Sequence, residues 1–232
     1  MKPFGTAQHR EKKRYPEIFL IVFVVFILYQ TVTSYLLTPF ILRQGADAMV
    51  PTFAVGNRII STPIYKVASL KRGSLVFVQQ GEADSHFFLT KTFNAIVSFL
   101  TLNFYSPLES TSKFSSKPLL RRIVALPGDV IYMKDYILYV KKEGDEHFLT
   151  EFEQAEVDYN INTEGLIPSW HKELPFSGTM EEVKLKEGEY FVLCDNRVLG
   201  FDSRLMGTID AKKNIKQKVL VRFWPLNKIK IF

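Results

Sequence analysis

Residues Ile18 to Tyr29 are apolar without interruption, and Gln30–Leu37 extends them weakly to a stretch of twenty residues. At a helical rise of ~1.5 Å per residue such a stretch spans roughly 30 Å, one hydrocarbon core. Tyr15 and Tyr35 stand where interfacial aromatics belong, and Pro39 can end the helix. Lys12, Lys13 and Arg14 come just before. The pattern predicts a basic cytoplasmic tail over 1–14 and a transmembrane anchor over 15–39. It puts the rest, 40–232, across the membrane. A cleaved signal peptide is the competing reading. Ala46-Asp47-Ala48 has the small-x-small form of a cleavage site. It lies well beyond Tyr29, however, and cleavage sites follow the apolar core within a few residues.

Beyond Phe40 the pattern changes to short runs, several rich in Val, Ile, Tyr and Phe, between turn residues. Strands are predicted over Arg58–Thr62, Leu75–Gln79, Arg121–Leu126, Val130–Tyr132, Ile137–Lys141, Tyr190–Leu193 and Val219–Phe223. Lys71-Arg72-Gly73, Pro127-Gly128-Asp129 and Glu187-Gly188 supply turn chemistry between them. The expected fold is mainly β, with an N-terminal transmembrane helix followed by a β domain over 40–232 with long inserted connections. Phe87–Tyr105 is apolar but carries Lys91, Asn94, Ser98 and Asn103, which favours an interfacial or core helix over a second span. Residues 144–186 are polar and read as a variable subdomain or long loop.

Composition narrows the function. Apolar residues make up 47% of the 232 and charged residues 23%, so the chain is not largely disordered. A single cysteine, Cys194, excludes an intrachain disulfide and a Cys-rich zinc site. His9, His86, His147 and His171 are scattered, so neither a metal nor another cofactor is expected. The net charge of +6 is concentrated at the start, where the first fourteen residues hold five Lys/Arg and one Glu. Nucleic-acid binding therefore gains little support.

Three segments carry a more specific signal. Met49-Val50-Pro51-Thr52-Phe53 is followed by Gly56-Asn57-Arg58-Ile59-Ile60. Arg121-Arg122-Ile123-Val124-Ala125-Leu126-Pro127-Gly128-Asp129 is the second. Tyr190-Phe191-Val192-Leu193-Cys194-Asp195-Asn196-Arg197 runs into Asp202-Ser203-Arg204-Leu205-Met206-Gly207 as the third. In this order, behind an N-terminal anchor and ahead of Trp224-Pro225, they resemble the bacterial type I signal peptidases. The resemblance covers about 15–80, 119–142 and 185–226. It implies a β-rich domain at the outer face of the bacterial cytoplasmic membrane, held by a single span with its N-terminus in the cytoplasm. It also implies a Ser/Lys dyad: a serine that attacks the scissile carbonyl and a lysine, kept neutral by an apolar site, that takes its proton. A second serine helps hold the oxyanion and a third orients the lysine.

None of the four side chains is present. The position matching the nucleophile is Ala48, a methyl group with no oxygen. The oxyanion position is Ala46. The position of the base is Arg121, and arginine keeps its proton at neutral pH. The lysine-orienting position is Gly200. Losing a nucleophile costs on the order of 10⁶ in turnover, and losses within one catalytic unit do not add. The surrounding scaffold does match: Met49, Pro51, Asp129, Asp195, Arg197, Asp202, Ser203 and Arg204. Asp202 and Arg204, two positions apart, can pair on one face of a strand.

Cys194 is the alternative nucleophile, against the reading of a small buried thiol in a strand. Thr52 and Ser61 lie near the first motif without a visible base. The expectation is a family member that has lost its chemistry. It binds signal peptides or exported chains along strand-like walls, with Met49, Pro51 and Tyr132 as wall candidates, or associates with an active signal peptidase or the secretion machinery. The alternatives are a working peptidase with a non-standard site, built on Cys194 or a partner chain, and a structural membrane protein that uses 87–105 to organise an assembly.

Overall fold

The computed structural model describes residues 15–43, 46–63, 69–79, 93, 96–97, 100–101, 118–164, 177–198 and 200–232. Helix α1 (Tyr15–Thr31) follows the apolar run, and Val32–Leu36 continues it as a wider π turn. No residue of α1 is buried, so its apolar side chains face outward all round. Its 17 residues rise only ~26 Å. Among the described residues no helix is long and apolar enough to cross a membrane. The helical path stops at Leu36, short of Pro39, because Thr38–Ile41 is already a strand, β1. Pro39 is tolerated there because β1 is an edge strand, where a missing N–H leaves no central ladder broken.

The remaining strands are β2 (Arg58–Thr62), β3 (Leu75–Val78), β4 (Leu119–Ala125), β5 (Val130–Lys134), β6 (Ile137–Lys141) and β7 (Leu149–Thr150). They continue with β8 (Met180–Lys184), β9 (Glu189–Leu193), β10 (Ile209–Asp210), β11 (Ile215–Trp224) and β12 (Lys230–Ile231). The larger sheet runs β1-β2-β11-β3-β4-β9-β10, with β12 also on β11, and the smaller runs β7-β6-β5-β8. These ladders are antiparallel. All seven expected strands form, within a few residues of their predicted ends. β1, β7, β8, β10 and β12 were not expected. β8 reads Met-Glu-Glu-Val-Lys and is mostly exposed, so it offers no apolar alternation to detect.

The larger sheet is packed on both faces, as the alternation along β3 shows. Leu75 and Phe77 join Ala46, Met49, Phe53, Ile59, Leu120 and Val219 in one cluster. Val76 and Val78 point the other way, toward Ile123, Val192, Ile209 and Ile215. A third cluster joins the sheets, with Val124, Phe191 and Leu193 against Ile131, Met133, Leu138 and Val140. Of the 87–105 stretch only Phe93, Ile96, Val97, Leu100 and Thr101 are described; the first four are helical. The remainder lies outside the described residues, as do 165–176 of the 144–186 stretch. The described part of 144–186 holds β7, β8 and a run whose Glu151 and Gln154 are buried.

Candidate functional site

The first motif opens with a turn of 3-10 helix, Ala46–Met49, packed against β4. Ala46, Ala48 and Met49 are buried. Met49 has no exposure and Phe53 almost none, so these two anchor the turn in the core. Met49 is therefore a core residue and not a groove wall, whereas Pro51 is exposed. The third motif grips the turn from outside. Asn196 donates through its main-chain N–H to Ala48 O (3.0 Å) and through Nδ2 to Asp47 O (3.0 Å).

β4 presents Arg121 and Arg122 to opposite sides, as successive strand residues must. Arg122 meets Asp195 with a two-pronged ion pair, Nε to Oδ1 at 2.7 Å and Nη2 to Oδ2 at 2.6 Å. Both side chains are 1% exposed. Arg122 also donates to Gly73 O and Thr52 Oγ1, and Thr52 donates to Asp195 Oδ2. Thr52 is thereby committed to the scaffold. Arg121, the residue expected from the resemblance at the place of the base, is 3% exposed. It donates from Nε to Phe201 O (2.9 Å) and from Nη1 to Leu120 O (2.5 Å). Through Phe201 it touches the loop that holds Gly200.

That loop is closed by Asp202 and Arg204. They do pair, but not across a strand. Asp202 caps the short helix Ser203–Met206 and accepts from the Arg204 main-chain N–H. Arg204 folds back on it, Nε to Oδ1 at 3.0 Å and Nη2 to Oδ2 at 2.9 Å. Cys194 N–H also donates to Asp202 Oδ2 (3.0 Å), which ties the loop to the end of β9. Burial works to raise the Asp202 carboxyl, but the Arg204 charge and these bonds outweigh it and hold it below the usual carboxylate range. Ser203 Oγ accepts from Val192 N–H (3.0 Å), a structural bond. Gly200 lies against this pair. A Cβ built there would be 2.8 Å from Asp202 Oδ2 and closer still to Arg204 Nη2. The space for a side chain at this position is already taken.

Of the other candidates, Asp129 shapes the turn after β4. It accepts from Arg72 Nη2 at 2.5 Å and from Leu126 N–H at 2.7 Å. Cys194 is fully buried. Burial first and the Asp202 carboxylate second push its thiol up to about 12, against the pull of Arg121, Arg204 and Arg197. Ser61 is buried in β2, donates to Gln217 Oε1 and lies 3.3 Å from Thr38 O, a sheet contact. Tyr132 stacks on Tyr139 at 4.8 Å and meets Phe148 edge-on, across the smaller sheet from its buried face.

Sequence reasoning passed over four participants. Asn196 and Arg122 lie inside the motifs, where the identity of their partners was not visible. Glu151 and Tyr159 come from the unmatched 144–186 stretch. Arg197, fully buried, donates to Glu151 Oε2 at 2.5 Å, and Tyr159 donates to the same oxygen at 2.5 Å. Burial first and Glu151 second raise the Tyr159 phenol well above its ordinary value, so it stays a donor. Its ring lies 4.0 Å from the Arg122 guanidinium. Among the described residues no group of three His, Cys, Asp or Glu is placed to hold a metal ion.

The sequence model described as "Signal peptidase, peptidase S26" matches residues 15–224. Signal peptidase IB of Staphylococcus aureus is 27% identical over 222 residues, 94% of each chain. Signal peptidase I of Bacillus licheniformis is 25% identical over 215 residues, 90% of this chain and 88% of its own.

Proposed function

We propose, from the premise that this chain belongs to the signal peptidase family, that it is a catalytically silent member which binds signal peptides or exported chains at the membrane surface. The observation that carries the reading is the chemistry at four positions: two methyls at Ala46 and Ala48, a guanidinium at Arg121 and no side chain at Gly200. A guanidinium cannot take a proton from an attacking hydroxyl, and no hydroxyl stands at the nucleophile position. The turn, the ion pairs and the loop that frame the site are all intact.

Residues 15–36 anchor the chain. Their helical path exposes apolar side chains on every side and leads directly into β1 at the edge of the larger sheet. On this reading Lys12, Lys13 and Arg14 stay in the cytoplasm and the β domain stands at the outer face of the bacterial cytoplasmic membrane. Peptide or preprotein, and an active peptidase or secretion component that delivers it, are the partners this placement offers.

The alternative is a working signal peptidase that uses Cys194 or a partner chain. Against Cys194 stands the thiol's complete burial beside the Asp202 carboxylate, which leaves it protonated at neutral pH. The deciding experiment incubates the purified full chain with a labelled preprotein. Saturable binding with the substrate left whole is expected. Cleavage at the signal junction by this chain alone overturns the reading, and loss of that cleavage on thiol alkylation would assign it to Cys194.

A further inference from the structure

Outward-facing apolar side chains are not confined to α1. At one end of the larger sheet Leu226, Ile229 and Ile231 are 67%, 57% and 77% exposed, and Trp224 is exposed beside them. Strand alternation explains part of this. Phe232 turns inward and packs on Phe53 at 5.3 Å, so Ile231 and Ile229 turn outward. Trp224 closes β11, and a turn over Leu226–Lys228 carries the chain into β12. Single exposed apolar residues are ordinary on a protein surface. Four within the eight residues from Trp224 to Ile231 mark an interaction site.

The charge around them has one sign. From Ala211 to Phe232 the chain holds seven Lys/Arg and no Asp or Glu. Lys228 is exposed, Arg222 and Lys230 are half-buried, and the Arg58 guanidinium stands 5.3 Å from the Trp224 ring. The hydrogen bonds of Arg222 and Lys230 leave their charges in place. Arg222 donates to Lys228 O and Thr52 O, and Lys230 to Asp158 O, all neutral main-chain acceptors. Asp158 is the one acidic residue that these bonds bring beside the segment.

Tryptophan and aliphatic side chains rimmed by lysine and arginine make up an interfacial membrane contact, and the cations suit anionic headgroups. The place in the fold agrees. The helical path from α1 enters the larger sheet at Thr38, Ile41 pairs with Arg58, and Arg58 pairs with Trp224. Trp224 is thus three residues along β1 and two strands across from Thr38, about 10 Å in each direction. A bilayer that holds the anchor is always within reach of this surface, whereas a soluble partner has to be recruited.

We propose that Trp224–Ile231 is a second membrane contact, which docks the β domain on a bilayer surface that carries anionic headgroups. The proposal rests on the anchor reading above and adds an orientation to it. Arg222 donates to Thr52 O and Phe232 packs on Phe53, so the dock is joined to the Met49–Phe53 motif. Docking therefore holds that motif at a set height over the bilayer.

The test uses the full chain with Trp170→Phe, which leaves Trp224 as the single tryptophan. It is reconstituted in nanodiscs of phosphatidylcholine, alone or mixed with phosphatidylglycerol, with and without bromines near the headgroup end of the acyl chains. Trp224 emission is expected to be quenched by the bromines, most strongly in the anionic discs, and less so at high salt. Lys228→Gln with Lys230→Gln should lower the docked-to-undocked ratio in anionic discs roughly twenty-five-fold, about fivefold for each lysine near such a surface. Leu226→Ser with Ile231→Ser should abolish the quenching. Undiminished emission in brominated anionic discs that hold the chain overturns the dock, while the anchor reading survives. If Trp224 is there also shielded from acrylamide, a protein surface covers it and not lipid. Quenching that is equal in both lipids and unmoved by the lysine changes overturns the anionic preference. A chain that does not enter the discs overturns the anchor reading and this one with it. Should Trp170→Phe not fold, the quenching lost from the parent on Trp224→Phe reports the same contact.

Discussion

Arg122 and Arg121 are neighbours on β4, yet they look onto two regions that have fared differently. On the Arg122 side every charge is matched: Asp195 takes both prongs, and Thr52, Gly73 and Tyr159 fill the remaining surface of the guanidinium. On the Arg121 side the proposed reading finds the reacting groups replaced, and among the described residues the hydrogen bonds of the cation go to main-chain carbonyls. Packing and charge pairing constrain the first region whether or not the protein cuts anything. If the proposed loss of turnover holds, the second is constrained only by the framework beside it.

The sharpest way to break that contrast is to remove one partner on each side. Asp195→Ala would leave the Arg122 guanidinium buried and unpaired, a loss of about 3–5 kcal/mol. Arg121→Met removes a cation that has no carboxylate partner among the described residues and should cost much less, or stabilise. Urea unfolding of the two variants gives both numbers. Equal losses would mean that Arg121 is as deeply built into the framework as Arg122, and the two regions would no longer differ.

A smaller effect is expected from adding atoms back. Gly200→Ser must displace the Arg204 and Asp202 side chains, and overpacking of this kind costs about 1–3 kcal/mol. Ala48→Ser adds one oxygen to a turn whose framing bonds are main-chain or come from Asn196, and should cost under about 1 kcal/mol. The fourfold change Ala46→Ser, Ala48→Ser, Arg121→Lys and Gly200→Ser should accordingly be less stable than its parent and leave a preprotein uncut. A stable, cleaving variant would show that the Asp202–Arg204 pair yields easily and that only chemistry had been lost.

Much of the framework was legible because its residues announce themselves locally. The strands Arg58–Thr62 and Ile137–Lys141 form where apolar and β-branched residues predict them, and the three motifs carry the residues that surround the site. That Ala46, Ala48 and Gly200 carry no hydroxyl and Arg121 no removable proton follows from residue type alone. The obstruction at Gly200 was not legible, because it depends on Asp202 capping a helix turn instead of extending a strand. Glu151 and Tyr159 were hidden for another reason. They lie some forty residues from Arg197, in a stretch without a motif, and only the fold brings them to it. β1 was concealed by its sequence position, since Thr38–Ile41 directly continues the apolar run of the helix.

The smallest expected effect concerns Cys194, where the two regions meet. Its thiol is raised from 9.0 to about 12, first by burial and then by Asp202. The folded state thus favours the neutral thiol more than the unfolded chain does. Its contribution to stability is fully present below the ordinary thiol value, declines above it and is lost as pH rises toward 12. At pH 8 the native thiolate fraction is about 10⁻⁴, so iodoacetamide should label the folded chain hardly at all and the urea-unfolded chain readily. Raising the pH to 9 should leave native labelling slow, set by unfolding and not by the reagent. Rapid native labelling at pH 8 would mean an accessible, activated sulfur between Arg121 and Asp202. In that event the emptied region would still hold a nucleophile, and the difference between the two sides of β4 would be one of degree.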